Sequence, residues 1–438
     1  MNIVLLSGGS GKRLWPLSND IRSKQFIKIF KKQDGSYESM IQRIYRQIRS
    51  VDENAKITIA TSRAQVSSIH NQLGDQVGIS VEPCRRDTFP AIALASVYLA
   101  EVEGVSQEES VVVCPVDPYV EEDYFRALKA LERQADKEEA NLILMGIQPA
   151  YPSEKYGYII PADREAISKV LAFREKPDAK TAKEYIDHGG ALWNGGVFAY
   201  KLKYMLCKAH EMMDFRDYQD LLDRFETMPK ISFDYAVVEK ESSIQVMRFP
   251  GQWKDLGTWN TLTEAMEEEC VGDGVMDDSC ENVHIINELG LPVLAMGLKD
   301  VVISASPDGI LVSDKHQSSY MKPLVDKLDR QIMFAEKSWG SFRILYVGTE
   351  SLTIKVTLNP GHRMNYHSHL NRDEVWVVIQ GTGQAITDSV YREIGVGDIV
   401  TMKAGCRHTV TAYSELQLIE VQLGREISKN DKQKYPFD

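Results

Sequence analysis

Over its first 265 residues the chain alternates short apolar strands with amphipathic helices, and near residue 270 the helices stop. That switch constrains the fold more than any single motif. Strands are expected at 3–7, 57–61, 78–82, 110–115, 142–147 and 169–173. Between them Met40, Ile41, Ile44 and Ile48 keep helical spacing, as do Phe125, Leu128 and Leu131. Such alternation predicts an α/β domain, a mostly parallel sheet covered by helices, with ligands at the carboxyl ends of the strands. The acidic Glu267–Glu269 and the Gly/Asp-rich 272–278 then make a polar hinge. Short β pieces follow at 292–296, 300–304 and 309–313. Their spacing of about nine residues suits compact turns of sheet, a β-helix-like link too short for a repeat solenoid. From Ser351 onward, strands separated by Gly361, Gly381, Gly397 and Gly405 have the rhythm of a small all-β barrel or jelly roll. The expected division is 1–265, 266–328 and 329–438.

The first strand, Ile3 to Leu6, breaks into Ser7-Gly8-Gly9-Ser10-Gly11-Lys12-Arg13. Glycines at such a turn leave no Cβ in the way, so successive N–H groups can converge on phosphate oxygens. Two commoner loops are excluded. A Walker A loop needs a glycine where Leu6 stands and a Ser/Thr where Arg13 stands. A dinucleotide fingerprint starting at Gly9 needs glycine at Leu14. An ordinary glycine turn is the plain alternative for these residues taken alone.

Composition narrows the function. Hydrophobic residues are 43% and charged residues 26% of 438, an ordinary globular balance with material for two or three domains. A net charge of −12 argues against a nucleic-acid surface. No apolar run approaches the roughly 20 residues that span a bilayer. The amino terminus lacks a basic segment leading into an apolar core, so no membrane contact and a cytoplasmic location are expected. Cys84, Cys114, Cys207, Cys270, Cys280 and Cys406 are scattered without zinc-ligand spacing, and read as reduced packing residues.

Further segments gain weight together. Arg22-Ser23-Lys24-Gln25-Phe26 puts a second cation just after the glycine loop. Asp117 follows an apolar strand, and Trp253-Lys254-Asp255-Leu256-Gly257 supplies another aspartate. Two such carboxylates can hold Mg²⁺, a hard cation that takes one or two carboxylates plus substrate phosphates. Phe173-Arg174-Glu175-Lys176-Pro177 and Trp193-Asn194-Gly195-Gly196 offer a carboxylate, an ammonium and an amide suited to sugar hydroxyls. Singly, each reads as a solvated turn, a cap or a surface ion pair.

In order along residues 1 to about 265, the segments resemble the sugar-1-phosphate nucleotidylyltransferases. They are the Arg13 loop, Lys24-Gln25-Phe26, Glu82-Pro83 with Arg86-Asp87-Thr88, Asp117, Phe173–Pro177, Trp193–Phe198, Asp234-Tyr235-Ala236 and Trp253–Trp259. Leu14-Trp15-Pro16-Leu17-Ser18 is most similar to the mannose-1-phosphate guanylyltransferase branch. The resemblance implies a Rossmann-like nucleotidyltransferase domain. It assigns Gly8, Gly9, Gly11 and Arg13 to the triphosphate of GTP, and Glu82 and Arg86 to the nucleotide. Lys24 would neutralise phosphate charge, Asp117 and Asp255 would bind Mg²⁺, and Gly157, Glu175, Lys176 and Asn194 would hold the sugar 1-phosphate. The reaction implied is attack by a sugar-phosphate oxygen on the α-phosphorus of GTP, giving GDP-mannose and pyrophosphate. Lys12, Ser23, Asp87 and Pro118 depart from the usual threonine, proline, asparagine and histidine, and Asp87 and Pro118, near the expected base and metal sites, leave the nucleobase and sugar open.

His367-Ser368-His369, then Glu374, and downstream His408 form the second constellation. Strand periodicity of two puts both first histidines on one face, and Glu374 can reach the same point from across a barrel. The spacing resembles the two cupin motifs, with Lys403 for the usual proline and Ala412 for the usual asparagine. Three imidazoles and a carboxylate suit Zn²⁺, Fe²⁺, Mn²⁺, Co²⁺ or Ni²⁺. A guanylyltransferase followed by a cupin is the layout of the bifunctional type II phosphomannose isomerase/guanylyltransferase family. Lys337–Phe342, and Arg372, Glu374 and Trp376, are similar to its cupin and isomerase motifs. Four residues separate His369 from Glu374 where the family has two, Asn365 stands near its glutamine, and Val375 replaces a histidine. Two readings of the cupin therefore stand: an isomerase of mannose 6-phosphate and fructose 6-phosphate using Arg372, or a non-catalytic module. The family also implies a homodimer or higher homo-oligomer. The runner-up is a nucleotidylyltransferase for another sugar 1-phosphate, and a regulatory protein with a degenerate nucleotide site is the remote third.

Overall fold

The structure, a computed structural model, describes residues 1–8, 12–19, 21–328 and 331–436. They form two compact units. The first takes most of the chain up to Glu267; the second takes 268–436 together with 12–19, 21–22 and 67–71.

A nine-stranded sheet organises the first unit. From one edge its order is Gly78–Glu82, Lys56–Ser62, Asn2–Ser7, Ser110–Pro115, Leu192–Lys201, Leu142–Ile147, Ile244–Phe249, Ile167–Arg174 and Tyr158–Pro161. The first four strands run parallel. Leu192–Lys201 then pairs antiparallel with both its neighbours, and Ile167–Arg174 with both of its own, so the sheet is mixed rather than mostly parallel. The reversal at Leu192–Lys201 lay hidden because Asn194-Gly195-Gly196 interrupts that strand's apolar run, and the strand pairing shifts register there. All six expected strands are present, as are both helices, Met40–Val51 and Glu122–Asp136. Met40, Ile41, Ile44 and Ile48 are buried, as their spacing requires. Thr88–Glu101 is apolar nearly all round, and ten of its residues are buried, from Phe89 to Leu99. A central helix of this kind can pack only inside a large core.

In the second unit, Cys270–Val271, His284–Asn287 and Val301–Ser306 stack in parallel, and Gly274–Met276 stacks on Val293–Ala295. Successive parallel pairing without intervening helices is the signature of a short β-helical coil; Ile285, Ala295 and Ile303 fill its centre. A jelly roll follows, with a six-stranded sheet facing a five-stranded one. Gly361, Gly381, Gly397 and Gly405 all adopt positive φ, between 76° and 93°, which explains the glycine rhythm. At Gly381 a Cβ would stand 2.0 Å from the Glu415 carbonyl oxygen. Trp376, Val378, Val410, Leu416 and Leu418 are among the buried side chains between the sheets. No helix among the described residues is long and apolar enough to cross a membrane.

Candidate functional site

Lys24 opens a single turn, Lys24–Phe26, that is fastened from beneath. Gln65 is the fastener. Its Nε2 donates to Ser23 Oγ at 2.6 Å, and its Oε1 accepts from Thr61 Oγ1 at 2.9 Å and from Ser7 Oγ at 3.2 Å. Gln25 Nε2 adds a bond to Ser7 Oγ at 2.9 Å. All five residues are buried. A paired polar network inside a low-dielectric core admits few alternative arrangements, so it ties the lysine turn to the carboxyl ends of two strands.

The Lys24 ammonium lies 2.9 Å from Asp117 Oδ2 and 3.6 Å from Asp255 Oδ1. A small ribbon brings the two aspartates together: Pro118–Val120 pairs antiparallel with Trp253–Asp255, and Asp255 stands opposite Pro118. Burial alone would lower the Lys24 pKa, but the charges of Asp117 and Asp255 outweigh it and raise the value. The ammonium is held charged. Side-chain exposures of 41% and 37% leave Asp117 and Asp255 free oxygens toward solvent. Two oxygen donors from segments far apart in the chain, already gathered about one positive charge, fit a Mg²⁺ shared with substrate phosphates.

Beside them opens a cleft of about 310 Å³ lined by Gly8, Ser62, Glu82, Arg85, Thr88 and Asp117, among others. Gly8 is exposed, and a Cβ there would meet nothing within 4 Å. Gly9 and Gly11 lie outside the described residues, and Arg13 has an exposed side chain on the turn Lys12–Leu14. Burial pushes the Glu82 carboxyl up to about 7, with Arg85 pulling the other way. Arg86, expected at the nucleotide, instead donates to the Glu226 carbonyl, and its neighbour Arg85 faces the cleft. Their order in sequence could not reveal which arginine turns inward.

The sugar-phosphate candidates also gather. Asn194 N donates to the Gly157 carbonyl at 2.8 Å, and Asn194 Nδ2 donates to Asp234 Oδ1 at 2.7 Å. The Lys176 ammonium pairs with Glu175, on a backbone held at φ 43°. A Cβ on Gly157 would sit 2.5 Å from Glu175 Oε2, so only glycine leaves that carboxylate in place. Burial, then the charge of Glu175, raises the Asp234 carboxyl to about 6. Asp234 belongs to a segment the motif order included, but nothing local marked its side chain. The Tyr156 ring packs on Trp193 and Trp253, with centroids 4.9 and 5.5 Å away, forming an aromatic wall.

In the jelly roll, His367, His369, Glu374 and His408 are buried, with their ligand atoms all within 4.8 Å of one another. His367 and His408 stand opposite each other on adjacent strands, and Glu374 comes from the facing sheet. His367 Nδ1 donates to the Asn365 carbonyl at 2.6 Å and His408 Nδ1 to the Cys406 carbonyl at 3.0 Å. Those bonds leave each Nε2 as a lone pair aimed inward, the arrangement in which metal-binding imidazoles are oriented by a bond at the other ring nitrogen. His408 Nε2 then faces Glu374 Oε2 at 3.1 Å, and both atoms are buried without a hydrogen-bond partner. Two acceptors pointed at each other repel unless a cation lies between them. The residues fit a metal. Arg372 contributes a further cation, donating from Nε to Glu374 Oε1 and from Nη2 to His369 Nε2, both at 3.0 Å.

A mixed sheet bearing a charge-gathering carboxylate pair, joined to a jelly roll with a buried three-histidine, one-glutamate centre, defines a nucleotidyltransferase carrying a cupin. The chain belongs to the nucleotidyl transferase family, whose model matches residues 2–271. Residues 327–435 match the model of the mannose-6-phosphate isomerase C-terminal domain. A mannose-1-phosphate guanylyltransferase of Salmonella montevideo is 27% identical, over 98% of this chain and 97% of that protein. The alginate biosynthesis protein AlgA of Pseudomonas aeruginosa is 28% identical, over 98% and 95%. A solved structure from Thermus thermophilus, described as a mannose-1-phosphate geranyltransferase, aligns with a TM-score of 0.62 at 28% identity. That alignment covers 75% of this chain and 99% of the other.

Proposed function

We propose that this protein transfers a guanylyl group from GTP to mannose 1-phosphate, releasing pyrophosphate and forming GDP-mannose. The observation that carries the reading is the Lys24 ammonium held between Asp117 and Asp255 at the mouth of the cleft. The nucleophile, a phosphate oxygen of the sugar, is already an anion and needs no general base. The task left to the protein is in-line alignment and charge neutralisation. Lys24 neutralises charge on the transferred phosphoryl group, and Gly8, open at the cleft, leaves room for the triphosphate to approach the backbone. Asp117 and Asp255 would hold Mg²⁺, which would offset the remaining negative charge on the phosphates. Glu82 offers a carboxylate that accepts the N1–H and N2–H of guanine, donors that adenine lacks on that edge. Glu175, Lys176, Asn194 and Asp234 hold the sugar phosphate against the aromatic wall.

The cupin, by its likeness to the isomerase model and its buried ligand set, interconverts mannose 6-phosphate and fructose 6-phosphate. His367, His369, Glu374 and His408 would hold a divalent transition metal there, which would supply Lewis-acid polarisation of the substrate's oxygens. Exposed Val275, Leu294, Met296, Ile310 and Val312 on the β-helical segment favour a homo-oligomer. A cytoplasmic location fits a reaction fed by GTP.

Pyrophosphate release is measured across four nucleoside triphosphates and several sugar 1-phosphates. Release is expected with GTP and mannose 1-phosphate, and its absence there overturns the first reading. Isomerisation of mannose 6-phosphate that vanishes in a His367→Ala, His369→Ala double variant separates a catalytic cupin from a passive one.

A further inference from the structure

Lys432 lies on the short strand Lys432–Lys434, directly opposite His369 in antiparallel register. Cross-strand partners present their side chains on the same face, so Lys432 shares the barrel interior with the histidines. It lines a cavity of about 270 Å³ together with His367, His369, Arg372, Glu420 and Ser428. Among the described residues its ammonium has neither a hydrogen bond nor an ion pair. Arg372, by contrast, is engaged with Glu374, His369 and the Ser428 carbonyl.

An unpaired ammonium on the wall of a cation site is electrostatically costly. Burial disfavours its charge first, Glu420 and Glu374 offset part of that, and Arg372 and Lys434 add repulsion. An anion placed at Lys432 resolves the conflict, through a charge-assisted hydrogen bond in a low-dielectric cavity. The other walls identify what carries the anion. Trp339, Phe342, Ile354 and Val356 give the cavity an apolar side suited to the C–H face of a sugar, which a bare inorganic ion would not use. We infer that Lys432 anchors the phosphate of a phosphorylated sugar in the cupin cavity and sets its preference for phosphorylated over free sugars. The inference rests on the isomerase reading of this unit.

The test is calorimetric titration of the full-length, metal-loaded protein with mannose 6-phosphate, mannose and inorganic phosphate. Lys432→Met and Lys432→Gln are expected to weaken mannose 6-phosphate binding at least tenfold and Lys432→Arg to restore most of it. Metal content and pyrophosphate release stay unchanged. Wild-type affinity in the charge-removing variants overturns the role of Lys432 and leaves the isomerase reading standing. Failure of the wild-type chain to bind mannose 6-phosphate overturns both, and Lys432-dependent binding of inorganic phosphate alone overturns the sugar. Acetylation of wild-type lysines, read by mass spectrometry, decides without any variant: mannose 6-phosphate must shield Lys432 and mannose must not.

Discussion

Asp255 reaches Asp117 because a ribbon three residues long sets it opposite Pro118, the residue that follows Asp117. The shared cation of that pair is the Lys24 ammonium. Lys24→Ala is expected to lower kcat for pyrophosphate release about a hundredfold or more, the scale of losing a preorganised charge at a reacting phosphate. Asp117→Asn and Asp255→Asn should lower kcat comparably and raise the Mg²⁺ concentration needed for half-maximal rate. A magnesium titration of each variant checks this.

Gln65 lies on the floor of the cleft, buried, and holds Ser23, Thr61 and Ser7 at once. Gln65→Leu strands several buried polar groups, at about 1–3 kcal/mol for an unsatisfied group. A fall in the urea midpoint is expected together with a reduced kcat, because the turn carrying Lys24 loses its fastening. Equilibrium denaturation and initial rates measure the two effects separately.

Gly157→Ala drives a methyl group to 2.5 Å from Glu175 Oε2 and 2.9 Å from Phe173 Cζ. The Glu175 carboxylate must move. KM for the sugar 1-phosphate should rise roughly ten- to hundredfold, the cost of misplacing a binding group by about an ångström. KM for GTP should stay unchanged, and initial-rate kinetics with each substrate varied in turn distinguishes the two.

Asp234 gives a pH signature. Its carboxyl is raised to about 6 in the folded chain by burial and Glu175, against 3.8 ordinarily. Between those values the folded state binds more protons than the unfolded one, so stability falls as pH rises through the window. Above about pH 6 the full cost of a buried charge remains. Asp234→Asn keeps an oxygen to accept from Asn194 and removes that cost. The variant should gain up to about 3 kcal/mol relative to wild type on going from about pH 3.5 to about pH 7.5. Denaturation midpoints at the two pH values check the sign, and weaker sugar 1-phosphate binding should accompany the gain.

Metal removal tests the jelly roll. The full-length chain should carry one transition metal, by elemental analysis, and lose it in the His367→Ala, His369→Ala double variant. Chelation should lower the melting temperature of the second unit, since binding that only the folded state offers is also stability. Pyrophosphate release in excess Mg²⁺ should survive in the double variant.

Much of this was legible in the linear order of residues, wherever the physics is local. Ile3–Leu6 must be a buried strand because its apolar run is continuous, and Met40, Ile41, Ile44 and Ile48 must share a helix face because about 3.6 residues make a turn. The glycine rhythm from Gly361 to Gly405 announces turns because positive φ excludes most other residues. His367 and His369 share a face through the two-residue period of a strand, whatever they pack against. Strand Leu192–Lys201 was not legible, because glycines broke the run that pairing partners later sustain.

By itself, then, the sequence determined the class of each unit and the chemical types available to it, since periodicity and turn chemistry act over a few bonds. Only the tertiary structure decided that Gln65 fastens Lys24, that Arg85 rather than Arg86 lines the cleft, that Asp234 meets Asn194, and that Lys432 stands across from His369. These partners are separated by as many as 63 positions along the chain, the interval from His369 to Lys432. Register and packing set such meetings, and a shift of one residue in either strand would turn the same side chains to the opposite face.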